Sequence, residues 1–308
     1  MSAALFRRSE LWYRRPTPED QILESYFHRG CPNRLFHYTR QSSFLSILES
    51  QVLWFTDIQY FNDSQEYRYA LEMATGIIDN IARNDQSEIK RQLARSVLHS
   101  LRRSKLQSYF VFCFSQNGDL LSQWRSYASP GSGYSAGFDS IYLRAVATES
   151  NGILGKCIYK PTEQKNFIET FIEVFFHDLS SYFPYFKKGE INADLFNVKR
   201  ARFMSLFLRY APFIKNASFE EESEWRIVIP AKTFKQSDLC FRDGRMTLIP
   251  YVRVSHSEYE LRRHIKSVII KSTPHQDLAV SAIQRYFEAK GIEDIDVIPS
   301  TIPYRESM

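Results

Sequence analysis

The chain has 308 residues, 44% of them hydrophobic and 15% aromatic, enough for a sizeable core in one large or two ordinary domains. Forty basic against thirty-five acidic residues leave a net charge of +5, too mild at this length to announce a polyanion-binding protein by itself. Four scattered cysteines, Cys31, Cys113, Cys157 and Cys240, exclude a C-x-x-C zinc pattern and a disulfide framework, and no stretch nears the roughly eighteen apolar residues of a membrane span. The first fifteen residues carry four arginines and no apolar run, so a secretory signal is not expected and a reduced cytoplasm is the expected setting.

Residues 1–33 read as an N-terminal arm with one short helix over 19–27, stopped by Gly30 and Pro32. From Arg34 a single α+β domain is expected, a central mixed or antiparallel sheet with helical insertions at about 65–107 and 162–216. Arg34-Leu-Phe-His-Tyr-Thr39 predicts a strand. A serine-capped helix over 41–49 follows, with Phe44, Ile47 and Leu48 at helical spacing, and then a second strand over 52–56. This unit delivers His37, Tyr38 and Thr39 at a strand end, where side chains reach clefts, although a lone strand histidine is more often a satisfied structural residue.

Asn62 and Asp63 sit in a turn suited to cap the first helical block, whose bland role is to cover one sheet face. Residues 109–115 form a continuous apolar run, hence a buried strand ending at Ser115, in which Cys113 counts as a small hydrophobe. The short helix over 120–128 sets Gln123, Trp124 and Tyr127 at neighbouring positions, and a Pro/Gly loop joins it to a strand over 134–139. That corner suits a flat ligand or a hydrophobic plug. A strand is expected over 155–160, and the second helical block is so rich in Phe and Tyr that it reads as core or a partner surface. Residues 232–247 read as a hairpin or loop, followed by strands over 248–254 and 265–271. A helix over 276–290 stopped by Gly291 and a last strand over 294–299 are expected to close the sheet.

Between these lies Phe219-Glu220-Glu221-Glu222-Ser223-Glu224-Trp225-Arg226-Ile227-Val228-Ile229-Pro230, an acidic cluster running into an apolar strand. Strand alternation would point Glu222, Glu224 and Arg226 one way and Ser223, Trp225 and Ile227 the other. The ordinary expectation is a solvated acidic turn with a surface ion pair. The alternative is that Arg226 pairs with one carboxylate and leaves the other to a ligand, with Glu224 the catalytic carboxylate.

An ordered set of motifs carries a resemblance. Leu35-Phe-His-Tyr-Thr39, Phe61-Asn62-Asp63 with Glu66, Phe112-Cys-Phe-Ser115, Trp124 with Tyr127 then Gly137-Phe138, Glu222-x-Glu224-x-Arg226 and Ser300-Thr-Ile-Pro-Tyr-Arg305 together resemble a widespread bacterial family of unknown function. More loosely, the His-Tyr-Thr strand and the late Glu-x-Glu are similar to ADP-ribosyltransferases, and that likeness implies NAD as substrate and no metal. It puts His37, with Tyr38 and Thr39 beside it, on the ribose, Trp124 or Tyr127 beside the nicotinamide, Glu224 at the reacting sugar and Arg226 or a basic doublet on the pyrophosphate. Asn62, Asp63, Ser115 and Glu222 support the site in this picture, while a Ser-Thr-Ser strand is missing. The acceptor would be a protein or nucleic acid, and the biological role that of a toxin or phage-defence effector.

Three readings stand on the sequence. One is this NAD-consuming transferase or glycohydrolase, in which a carboxylate stabilises an oxocarbenium-like ribose. The second is a nucleic-acid-binding or nucleic-acid-processing protein using basic doublets such as Arg7-Arg8, Arg102-Arg103 and Arg262-Arg263. The third is a non-enzymatic module that binds a partner through the aromatic helical block.

Overall fold

The computed structural model describes residues 24–61, 64–103, 108–128, 132–180, 193–244 and 246–302. Most of the N-terminal arm, Asn62, Asp63 and Pro303 to Arg305 lie outside the described residues, and of the expected arm helix one helical turn, Glu24–His28, is seen. The architecture is α+β: one large open mixed sheet with helices on both faces.

The strands are β1 (Arg34–Thr39), β2 (Leu53–Asp57), β3 (Tyr109–Ser115), β4 (Tyr134–Asp139), β5 (Ile153–Lys156), β6 (Glu224–Pro230), β7 (Leu239–Asp243), β8 (Leu248–Val254), β9 (Ile265–Ile270) and β10 (Asp296–Pro299). Their main path runs β10-β9-β4-β1-β3-β2-β8-β7, with β6 pairing both β3 and β5. All pairs are antiparallel except β10 with β9. The C-terminal unit therefore forms an edge of an open sheet and does not close it.

The central strand β3 decides where a site can form. One of its edges pairs with β6 over its whole length, from Tyr109 opposite Pro230 to Ser115 opposite Glu224. Its other edge is shared end to end by two strands: β2 meets Phe110 and Val111, while β1 meets Ser115 alone, opposite Phe36. Beyond that one pair β1 and β3 part, and a gap opens in the middle of the sheet.

Alternation along β3 and β6 sorts their side chains onto two cores. Tyr109, Val111 and Val228 face a helical layer built from both insertions: α2 (Ser64–Asn84), α3 (Glu88–Arg103), α6 (Pro161–Ser180) and α7 (Ala193–Tyr210). Ala70, Ala74, Ile78 and Ala82 recur every four residues, so α2 turns a narrow, small-residue face inward and α3 packs closely against it. The expected aromatic stripe is core, with Phe167, Phe171, Phe175, Phe203 and Phe207 all buried. Phe110, Phe112, Phe114, Trp225, Ile227 and Ile229 face the opposite layer, formed by α1 (Gln41–Ser50), α5 (Ser140–Glu149) and α8 (Gln276–Ala289).

Helix α5 follows β4 directly and is not foreseen by the sequence analysis. Asp139, read there as the end of a strand, accepts a hydrogen bond from the Ile141 amide at 2.9 Å and so caps a helix. Gly291, at φ +67°, ends α8 as expected, with the Ile292 amide returning to the Phe287 carbonyl at 2.9 Å.

Candidate active site

The acidic stretch departs from a simple strand. Residues 217–222 form a 3-10 turn, Ser223 takes a left-handed conformation at φ 45°, and β6 begins only at Glu224. Glu222 is thus not one alternation step from Glu224. The kink at Ser223 folds it back, so the two carboxylates approach the same cation from two directions. A non-glycine residue in this region is strained and persists where its surroundings fix it. Here the fixing bonds are Gln116 N–H to the Ser223 carbonyl, 3.0 Å, and Ser115 Oγ to the Glu222 carbonyl, 2.8 Å.

The expected solvated turn is overturned at its end. Glu224 and Arg226 are only 6% and 2% exposed. Arg226 Nε and Nη2 donate to Glu224 Oε1 and Oε2 at 2.7 and 2.9 Å, a two-pronged pair, and Nη1 donates to the Pro212 carbonyl at 2.5 Å. Lys215 Nζ bridges Glu224 Oε2 at 2.6 Å and Glu222 Oε2 at 2.5 Å. Burial alone would push the Glu224 carboxyl up, but the Arg226 and Lys215 cations overcome it and set the pKa at about 2. Glu224 is therefore ionised at neutral pH.

Cys113 of β3, on the same sheet face as Glu224 of β6, directs its thiol to that carboxylate. Burial and the Glu224 charge push this thiol well above its usual range, so it stays a protonated donor. Tyr159 Oη accepts the Glu224 amide at 2.8 Å. Gln164 Nε2, from α6, donates to the Lys215 carbonyl at 2.7 Å and to that of Ile158 at 2.8 Å, fixing the lysine from behind.

His37 comes to this place from β1. Its Nδ1 lies 2.9 Å from the Cys113 carbonyl, and because a carbonyl only accepts, Nδ1 carries the hydrogen. Burial lowers its pKa to about 4, with the Arg242 cation adding to the effect and the carbonyl bond opposing it. The imidazole is neutral at pH 7 and its Nε2 is an acceptor. The ring rests on Phe112, centroids 4.2 Å apart.

A cavity of about 40 Å³ lies at the gap between β1 and β3, lined by Phe36, His37, Tyr38, Cys113, Phe114, Ser115, Gln123, Tyr127, Glu222 and Glu224. It joins groups from both sheet faces because the β1–β3 ladder holds only one pair there. Tyr127 reaches it from α4 (Leu121–Tyr127); burial and the neighbouring Glu224 and Glu222 charges raise its phenol, although the residue as a whole is 45% exposed.

The remaining expected residues divide into supports and outsiders. Trp124, the alternative to Tyr127 beside a ring, is buried away from the cavity. Its Nε1 donates to Asp119 Oδ1 at 2.7 Å, and its ring meets Tyr38 edge-on at 4.8 Å. Tyr38 Oη accepts the Leu120 amide at 2.9 Å and donates to the Asn117 carbonyl at 2.8 Å, tying α4 to β1. Thr39 is buried beside Tyr134 and does not line the cavity. Arg226 faces Glu224 and Pro212 and is not part of the lining.

Lys215, Cys113 and Tyr159 belong to the site and carry no such expectation, while Gln123 comes from the expected ligand-holding corner. Lys215 follows a buried run and carries no spacing signal; Cys113 looked apolar because its neighbours are. Among the described residues there is no cluster of three or more His, Cys, Asp or Glu able to hold a metal ion, and no helix is long and apolar enough to cross a membrane.

Residues 123–227 match the model of a family described as a protein of unknown function (DUF2971). That span includes Gln123, Tyr127, Glu222, Glu224 and Arg226 and leaves out His37 and Ser115. The expected resemblance to a family of unknown function is borne out over that span. No curated protein and no solved structure matches the chain.

Proposed function

We propose that the protein is an NAD-consuming enzyme of the ADP-ribosyltransferase kind, and that the cavity between β1 and β3 is where its ribose reacts. In this reading the sheet is a variant of the ADP-ribosyltransferase fold with two helical additions, and the protein acts as a toxin-like or defence effector. One observation carries the proposal: His37 and Glu224, expected at the ribose, and Tyr127, one of two residues expected beside the nicotinamide, come from three separate segments and line one cavity.

The chemistry follows from the protonation states. The bond between the ribose C1′ and the nicotinamide nitrogen breaks, the electron pair leaves with nicotinamide, and positive charge passes to the sugar. Glu224, ionised with a pKa of about 2, serves as a fixed negative charge beside that cation and not as a proton donor. Both its oxygens are held by Arg226 and Lys215, whereas among the described residues Glu222 shows a bond only at Oε2, which leaves Oε1 for a ribose hydroxyl. The His37 Nε2 acceptor suits a second hydroxyl. Water or a macromolecular nucleophile then attacks C1′ and releases a proton.

A volume of about 40 Å³ takes little more than a water molecule. Entry of the sugar and ring therefore requires the partly exposed Tyr127 to swing outward and stack on the nicotinamide.

The test is release of nicotinamide from NAD by the purified chain. Glu224→Gln is expected to lower the rate by about 10²-fold or more, the scale of losing one preorganised electrostatic group. Glu222→Gln and His37→Ala are expected to lower it with the fold intact by circular dichroism. Absence of both NAD turnover and thermal stabilisation by NAD would sink the proposal.

A further inference from the structure

The helical hairpin α2–α3 buries its inner face, and its outer side carries a second concave feature. A groove of about 620 Å³ is lined by Asp79, Ala82, Arg83, Arg95, Leu98, His99 and Arg102. Ala82 and Leu98 are its buried floor. On α3, Arg95, His99 and Arg102 stand at i, i+4 and i+7, a single stripe about 10 Å long at 1.5 Å per residue, and Arg83 faces them from α2. Three guanidinium groups thus line the groove against one lining carboxylate, Asp79. Asp79 is reached by Arg83 at 2.7 Å and by Arg102 at 3.4 Å, while Arg95 comes only within 3.9 Å of Glu88, which Arg91 already holds.

We infer that this groove is a docking surface for the phosphate backbone of a nucleic acid. The three arginines keep 60 to 73% of their side chains exposed, so their forks can turn outward to phosphate oxygens. Exposed ion pairs with Asp79 and Glu88 hold them weakly and yield to a denser anion. A lipid surface fits less well. Helices that lie in a bilayer interface present large apolar side chains beside their cations, and the exposed large apolar residues of the described chain all lie outside α2 and α3. The inference stands apart from the NAD reaction and survives its failure; if both hold, the groove presents a nucleic-acid acceptor to the enzyme.

The experiment measures fluorescence anisotropy of a labelled oligouridylate with the full chain over a salt series, beside phosphatidylglycerol vesicles and polyglutamate as competing ligands. With about three phosphates neutralised, the logarithm of the binding constant is expected to fall with that of salt at a slope near −2. The double variant Arg95→Glu/Arg102→Glu is expected to bind at least tenfold more weakly with an unchanged melting temperature. Arg263→Glu, at an exposed arginine held by Glu260 elsewhere on the surface, is expected to bind as before. Absence of binding at low salt, equal losses in both variants, or preference for vesicles or polyglutamate would each overturn the assignment.

Discussion

Arg226 grips Glu224, its second neighbour along one strand, through two nitrogen–oxygen contacts of 2.7 and 2.9 Å, with both side chains almost wholly out of solvent. Such a pair is costly to bury and more costly to halve, because the survivor is a desolvated charge. Arg226→Met is expected to lose about 3 to 5 kcal/mol in urea unfolding, and Glu224→Gln added to it is expected to restore part of that loss. A single variant within about 1 kcal/mol of the parent would show that solvent already screens the pair.

Acid should weaken the fold in two overlapping steps. The His37 pKa is about 4 folded against 6.5 as a free side chain, so between these values the unfolded chain binds a proton that the folded chain does not. Stability from this group is full above pH 6.5 and falls as pH drops toward 4. Glu224, lowered to about 2 from 4.5, contributes stability that is full above pH 4.5 and is lost on the way to pH 2. His37→Asn should flatten the upper step, and a nuclear magnetic resonance titration should find the imidazole protonating near pH 4. Titration near 6.5 would remove the argument for a neutral Nε2 acceptor.

Asp119 joins the C-terminal segment to α4. It accepts Trp124 Nε1 at 2.7 Å, Ser300 Oγ at 2.6 Å, and the Thr301 amide and Oγ1 at 2.8 and 3.0 Å. Burial raises its carboxyl, and these four donors more than reverse that. Asp119→Ala is expected to cost about 2 kcal/mol, the order of lost bonds to a charged acceptor, and to speed hydrogen exchange in both 120–128 and 300–302. Faster exchange in only one of the two segments would disprove the link.

Gly137 lies opposite Phe36 on β1 and close to Ser267 on β9. A Cβ there would overlap Ser267 Oγ and come within 2.9 Å of the Phe36 ring, a wall of the cavity. Gly137→Ala is expected to destabilise the chain by about 1 to 3 kcal/mol through overpacking. By contrast, Gly76→Ala, where nothing lies within 4 Å, should be neutral or stabilising in its helix. Equal behaviour of the two would argue against close packing at the cavity wall.

The strand and helix pattern was legible because burial leaves a local period. The alternation around Ile227 and Ile229, the continuous apolar run of β3 and the four-residue spacing of α2 each record which way a side chain faces. Helix α5 was missed because Tyr142, Leu143 and Val146 continue the apolar character of β4 with only Asp139 and Ser140 between, and the Asp139 cap marks the change. For the same reason of local character, His37, Tyr127 and Glu224 could be chosen as chemistry-bearing residues at element ends.

What the chain order could not contain was who meets whom. The Lys215 bridge to two carboxylates depends on the left-handed turn at Ser223, and the Cys113 thiol meets Glu224 through the register that sets β3 against β6. His37 reaches the Cys113 carbonyl across 76 residues of sequence because β1 leaves β3 after one pair. The amino-acid sequence by itself determined the faces, through periods of two and 3.6 residues that each segment obeys alone. The cavity, the charge state of Glu224 and the neutrality of His37 were decided only in the folded chain, since desolvation and ion pairing act through space between segments that share no local pattern.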